Sequence, residues 1–330
     1  MKESVKSPKN PWPPAVCAVA IAGVFFYLLA NNSTRPPGPN LLLDVDEIVA
    51  ADRIETDFEE TESIDPGLIK PSALAVAPDG SLYIAGKDEI VVLGTNGGEV
   101  ARFAVAGAPR CIGIAPDGAT FIGFKDHVEV FDANREFVSK WENVGGRALF
   151  TSIAADEENV FVADMGNRIV LRYDRNGGLV GRIGKKNLDG DVPGIVAPSA
   201  YLDVAFDSAG ALWVVNPGRM GLESYRPDGS LITAWYKPSL ELEGFSGCCN
   251  PSHIAFDTAG RLIAADKGLV RLKVYDVDGG TFEELIAGTK AFPRPRSLKD
   301  IAVDARDRIM VLDPRKDVVR VFERKGSNRV

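Results

Sequence analysis

Short apolar runs, each ended by turn residues, follow one another along the chain from about residue 70 onward. One pattern recurs six times: an aliphatic residue and a small residue lead into a turn, and a second β-rich run follows. Leu74–Ala75–Val76 precedes Pro78–Asp79–Gly80 and Leu82–Tyr83–Ile84–Ala85, and Ile112–Gly113–Ile114 precedes Pro116–Asp117–Gly118 and Thr120–Phe121–Ile122–Gly123. Ile153–Ala154, Val204–Ala205, Ile254–Ala255 and Ile301–Ala302 open the other four copies. A third run then reaches a turn, as Ile169–Asp174 meets Asn176–Gly177–Gly178, and most copies show a fourth run, such as Leu179–Ile183 or Leu231–Tyr236. Four β runs joined by Gly, Asp and Asn turns read as a four-stranded meander.

Tandem meanders of this length build a β-propeller, each sheet packing on its neighbours around an axis. No helical periodicity interrupts them, which excludes a βαβ architecture. The sixth copy lacks a fourth strand, because the chain ends soon after Val318–Phe322. Ile54–Phe58 lies upstream with no blade of its own. The expected fold is therefore an all-β, six-bladed β-propeller over residues 41–330, with an N-terminal strand from 41–60 completing the last blade and removing an open edge.

Residues 1–40 differ. Lys2, Lys6 and Lys9 precede an uncharged apolar run from Ala15 to Ala30, with Trp12 and Tyr27 near its ends. That run is about 24 Å as a helix. The reading is an N-terminal signal anchor or transmembrane helix over 1–30, with a cleavable signal as the competing one, and a Pro-containing linker over 31–40. Either way the propeller is expected on the extracytoplasmic side, tethered to the membrane or, if cleaved, secreted.

Composition narrows the chemistry. The chain has 330 residues, 38 basic and 46 acidic, for a net charge of −8. That balance argues against nucleic-acid binding, which rests on phosphate neutralisation. Two histidines and four cysteines exclude a three-histidine metal site. No Gly-x-Ser-x-Gly elbow, HExxH or spaced CxxC is present.

Aligning the six copies on the Ile–Ala pair puts Ala73, Cys111, Ser152, Asp203, His253 and Asp300 just before it, at equal height around the axis. Blades four to six thus contribute Asp203, His253 and Asp300. These three fit a divalent ion, calcium or zinc, or a histidine base flanked by carboxylates. They also fit plain hydrogen bonding to loop amides and channel water. Lys299 is expected to alternate away from this point. Cys248 and Cys249 enter blade five; in an oxidising compartment adjacent cysteines can form a disulfide that stiffens a turn and contacts a ligand. The loops after each second strand carry Lys87, Lys125, Arg168, Arg219, Lys267 and Arg315–Lys316, a cationic collar suited to an anion.

The segment Ala163–Asp164–Met165–Gly166–Asn167–Arg168–Ile169–Val170, with its Asn176–Gly177–Gly178 turn, resembles the NHL repeat. Phe245–Ser246–Gly247–Cys248–Cys249–Asn250–Pro251–Ser252–His253–Ile254 resembles a segment of uncharacterised exported bacterial NHL proteins. The resemblance implies a six-bladed propeller and carries no activity with it. The first expectation is a membrane-tethered binding module whose top face takes a partner protein, glycan or small anionic ligand. The alternative is a metal-dependent hydrolase or lyase with an axial site, since six-bladed relatives include lactonases and a lyase domain.

Overall fold

The computed structural model describes residues 55–326, apart from 143–145, 187–191, 248 and 293–297. The chain divides into two units, Met1–Asp46 and Glu47–Val330, and everything described belongs to the second. Among the described residues, six antiparallel sheets of four strands each are present. Blade one runs Ala73–Val76, Leu82–Ala85, Glu89–Leu93 and Glu99–Ala104 in spatial order. The innermost strands of blades two to six are Cys111–Ile114, Phe150–Ala155, Val204–Phe206, His253–Phe256 and Asp300–Val303. Each innermost strand neighbours those of the blades before and after it, and blade six meets blade one, so the sheets close a ring.

The repeated sequence signature has local causes. The Asp of each first turn accepts amides two to four residues ahead: Asp207 Oδ1 takes those of Ala209 and Ala211, and Asp257 Oδ1 those of Ala259 and Arg261. These Asx turns reverse the chain between first and second strands. The glycine three residues after that Asp, Gly210 or Gly260, sits at φ near +80°, where a side chain is disfavoured. The small residue of each Ile–Ala pair lines a narrow axial passage of about 280 Å³.

Second and third strands are buried on both faces, as in Leu82–Ala85 and Gly221–Tyr225. Their side chains form cores between blades rather than one central core. Ile263 and Leu272 of blade five pack with Ile301 and Val311 of blade six, and Leu82 and Val91 of blade one with Met310 and Val319 of blade six. Fourth strands alternate, leaving Val100, Val138, Val180 and Ile232 exposed on the rim.

Ring closure takes the expected form, at a later position. Phe58–Ile64 pairs antiparallel with Val318–Arg324 and completes blade six, whereas 41–54 lies outside the described residues. The strand Phe-Glu-Glu-Thr-Glu-Ser-Ile has little apolar content to announce it. Its partner supplies the reason for its placement: Arg320, almost fully buried, donates Nε to Glu60 Oε1 at 2.9 Å and Nη2 to Glu60 Oε2 at 2.5 Å.

Two expectations find no support among the described residues. Among the described residues no helix is long and apolar enough to cross a membrane, and the apolar run 15–30 lies outside them. No disulfide is found among the described residues either; Cys249 is buried and Cys248 lies outside them. Asn250 holds the turn there. Its Nδ2 donates to Ser246 O at 2.5 Å and Lys267 O at 3.0 Å, and its Oδ1 accepts from Lys267 N at 2.6 Å.

Candidate functional site

Asp203, His253 and Asp300 meet at the top of the axial passage. His253 Nδ1 lies 3.8 Å from Asp203 Oδ2 and 3.9 Å from Asp300 Oδ1. The carboxylates are committed to the backbone. Asp203 accepts from Val204 N (3.0 Å) and from Ile254 N of the next blade (2.7 Å). Asp300 accepts from Ile301 N (2.9 Å) and from Leu74 N of the next blade (2.9 Å). Ser152 Oγ likewise accepts from Val204 N at 3.3 Å. Axial side chains therefore link blade three to four, four to five, and six to one.

This arrangement does not fit a metal ion. Each carboxylate already accepts two amides, and among the described residues no three His, Cys, Asp or Glu side chains converge to hold one.

Burial shapes the electrostatics. It pushes the carboxyl of Asp203 above the usual range, and burial plus the Asp203 charge push Asp300 well above it. Burial lowers the His253 pKa, opposed by Asp203 and by the Leu298 backbone and assisted by Lys299. His253 is thus a neutral imidazole at neutral pH. Among the described residues its Nε2 is buried with no hydrogen-bond partner. The Cys111 thiol, in the same ring, is raised by burial and then by Asp300, so it is inert as a nucleophile.

Above His253 lies a recess of about 660 Å³ on the face where the loops entering each blade open. Ser72, Arg110, Lys125, Thr151, Tyr201 and Lys299 contribute its polar wall, and Leu149, Leu298, Ala108 and Pro109 its apolar part. The Tyr201 ring stands edge-on to His253, with centroids 6.0 Å apart, and Lys267 Nζ lies 4.8 Å above Tyr201.

Of the collar expected from sequence, Lys125 lines the recess and Lys267 braces Tyr201. Arg168 and Arg219 do not line it. Arg168 ends a tight turn at φ +58°, exposed. Arg219 donates to Pro193 O (3.0 Å) and Gly194 O (3.4 Å) and covers the Tyr236 ring. Cys249 does not line the recess, and Cys248 lies outside the described residues. Lys299, expected to point away, is part of the wall, because the strand begins only at Asp300 and the residue before it turns up into the opening.

Arg110, Thr151, Ser72 and Lys299 share a register one residue before the axial ring. The same repeat alignment, shifted by one, finds them. A buried network was invisible to that alignment. Glu223, fully buried, accepts from Asn216 Nδ2 (2.6 Å), Tyr236 OH (2.6 Å) and Tyr225 OH. Asn216 in turn holds Gly194 O and Val196 N, and so fixes the loop that carries Tyr201 to the recess.

The chain is similar to solved structures of known and unknown activity. One is a protein of unknown function from Bacteroides thetaiotaomicron VPI-5482, at 13% identity and TM-score 0.56, covering 82% of this chain and 73% of that one. Another is hydrazine synthase from Kuenenia stuttgartiensis, at 13% identity and TM-score 0.54, covering 80% and 98%. A third is virginiamycin B lyase from Staphylococcus aureus, as a catalytically inactive histidine-to-alanine variant with quinupristin, at 11% identity and TM-score 0.53, covering 83% and 90%. At such identities the likeness shows the fold, a six-bladed propeller shared with lyases of this type. No protein-family model and no curated protein matches the chain.

Proposed function

We propose that the chain is an extracytoplasmic enzyme of the lyase or hydrolase class. It acts on an anionic small molecule in the top-face recess, with His253 as the proton acceptor. The observation that carries this reading is the His253 ring: neutral, Nδ1 toward two carboxylates, Nε2 without a partner. A neutral imidazole with an unpaired nitrogen under a recess is a candidate general base. An unmet buried polar atom costs about 1–3 kcal/mol, which a substrate atom at Nε2 relieves. When His253 takes the proton, the imidazolium forms beside Asp203, whose charge favours it against the cost of burial. In a lyase the proton leaves carbon, its electron pair forms a double bond, and the leaving group departs with its own pair. In a hydrolase the proton comes from water. Lys299, Lys125 and Arg110 offset the negative charge that develops on the substrate.

The fold shared with a lyase that a histidine-to-alanine change inactivates supports the class. The Asp164–Arg168 turn supports a place among NHL-like propellers, and the lysine-flanked run before residue 31 supports export. A C-terminal reporter active only in the cytoplasm would remove the export element.

The test is turnover. Lactones, esters and carboxylates bearing a β-leaving group are offered to the full chain, to His253→Ala and to the rim variant Phe137→Ser. Turnover is expected in the first and last and lost in His253→Ala. If every substrate binds without conversion, the chain is instead a binding module for a partner protein, glycan or small anion, which the same cationic recess also suits.

A further inference from the structure

The recess wall is charged unevenly. Arg110, Lys125 and Lys299 line it, and among the described residues no Asp or Glu does, on a chain of net charge −8. Asp126, beside Lys125, is occupied by His127 Nδ1 at 3.0 Å. Two of the cations belong to blade two, and Phe150 fixes the Arg110 side chain and the Lys125 backbone. Arg110 Nε donates to Phe150 O at 3.1 Å, and Phe150 N donates to Lys125 O at 3.0 Å. Phe150 is itself 1% exposed, so this anchor is rigid. The Arg110 backbone is fixed as well, its N donating to Gly123 O at 2.8 Å.

With Nε tied down, the plane of the Arg110 guanidinium is set. Its two terminal nitrogens make no hydrogen bond or ion pair among the described residues. A fork of two N–H donors, held in place and open to a cavity, matches the two oxygens of a carboxylate or phosphate. Blade two stands three places from blade five in the ring of six, so Arg110 faces His253 across the axis. The wall between them carries Leu149, Leu298, Ala108 and Pro109.

We propose that Arg110 and Lys125 form an anchoring subsite for a carboxylate or phosphate group of the ligand, and that this group lies at the opposite end of the ligand from the atom presented to His253. The substrate class is then an elongated small molecule: an oxyanion at one end, an apolar middle, and the reacting centre at the other. The subsite rests on the recess reading above and extends it to the substrate. Its test uses binding alone, so that it stands apart from catalysis.

The probes are benzoate, phenyl phosphate and neutral benzyl alcohol, titrated calorimetrically into the full-length protein at low salt. Both anions should bind and benzyl alcohol should bind far more weakly. Arg110→Gln should weaken anion binding at least about tenfold, the loss of one charge-assisted contact. Arg110→Lys, which keeps charge but not the fork, should weaken benzoate more than phenyl phosphate and serves if Arg110→Gln does not fold. The rim variant Phe137→Ser should leave anion affinity within about threefold, because Phe137 is exposed outside the recess. Equal binding of benzyl alcohol, or anion binding untouched by both Arg110 variants, overturns the subsite. Selective anion binding without turnover of any substrate sinks the enzyme reading and leaves the subsite standing. Preference for benzoate over phenyl phosphate assigns a carboxylate, and the reverse a phosphate.

Discussion

Removing the Glu60 carboxylate tests what closes the ring. Arg320 is 3% exposed and carries its charge between blade six and the closing strand, stacked at 4.5 Å on Phe292 and 5.2 Å on Phe322. Besides Glu60 it has Ala291 O at 2.9 Å and Asp313 Oδ2 at 3.5 Å. Breaking a fully buried pair by deleting one partner costs about 3–5 kcal/mol. Glu60 is 34% exposed and Asp313 remains, so solvent screening reduces the figure, and Glu60→Ala should lose about 2–3 kcal/mol. Glu60→Gln keeps an acceptor and should lose about 1–2 kcal/mol. For a domain of this size the larger loss lowers the melting midpoint by about 3–6 °C. Urea unfolding at pH 7 reads the difference directly, with an unchanged m-value if the ring still unfolds as a unit. The pH dependence has a definite sign. The hydrogen bond to Arg320 holds the Glu60 carboxyl below its usual value of 4.5. A depressed acid stabilises fully above the unfolded pKa and loses that contribution as pH falls through the folded one. The gap between wild type and Glu60→Gln should therefore be constant from pH 6 to 8 and close in acid. A Glu60→Ala midpoint within about 0.5 kcal/mol of wild type, or a gap that widens in acid, would refute the clasp.

His253→Gln should change the pH profile of stability: because burial lowers the His253 pKa, wild type loses stability relative to the variant as pH falls below the usual 6.5, by up to about 1.4 kcal/mol per pH unit. Parallel urea midpoints from pH 7.5 to 5 would contradict this. Gly166→Ala should destabilise by about 3 kcal/mol or more, since a Cβ there would lie 1.7 Å from Arg147 O, whereas Gly146→Ala, with nothing within 4 Å, should stay within about 0.5 kcal/mol. Equal thermal midpoints for the two alanine variants would mean that the loop over Gly166 yields freely.

The propeller was legible because its signature is local and repeated. Each Asx turn, each small axial residue and each buried pair of strands leaves a mark within a few positions, and six copies reinforce it. The axial trio was legible for the same reason. What escaped was set by distant partners. The closing strand Phe58–Ile64 is polar, and only Arg320, some 260 positions away in the chain, explains it. Glu223 and Lys273 occupy equivalent third-strand positions, opposite Val214 and Ala264, and both are fully buried. Lys273 Nζ meets Asp266 at 2.9 Å and Gly244 O at 2.7 Å, partners that no spacing rule connects to it. The collar was overextended because a basic residue in a loop says nothing about which way its side chain turns. Arg219 is spent on the carbonyls of 193–194, while Arg110, in no predicted collar, is the fork that opens on the recess.

The closing strand also sets an order on synthesis. Phe58–Ile64 leaves the ribosome before every other described strand and cannot pair until Val318–Arg324 has followed. Through most of translation it waits without its sheet, and so does the ring. A waiting strand that was apolar and flat would recruit other chains through its open edge. This one carries Glu59, Glu60 and Glu62 in a run of seven residues, like charges that disfavour pairing with another copy of itself. Its acidity guards against premature partners, and the one arginine buried in the last strand is the countersign that ends the wait.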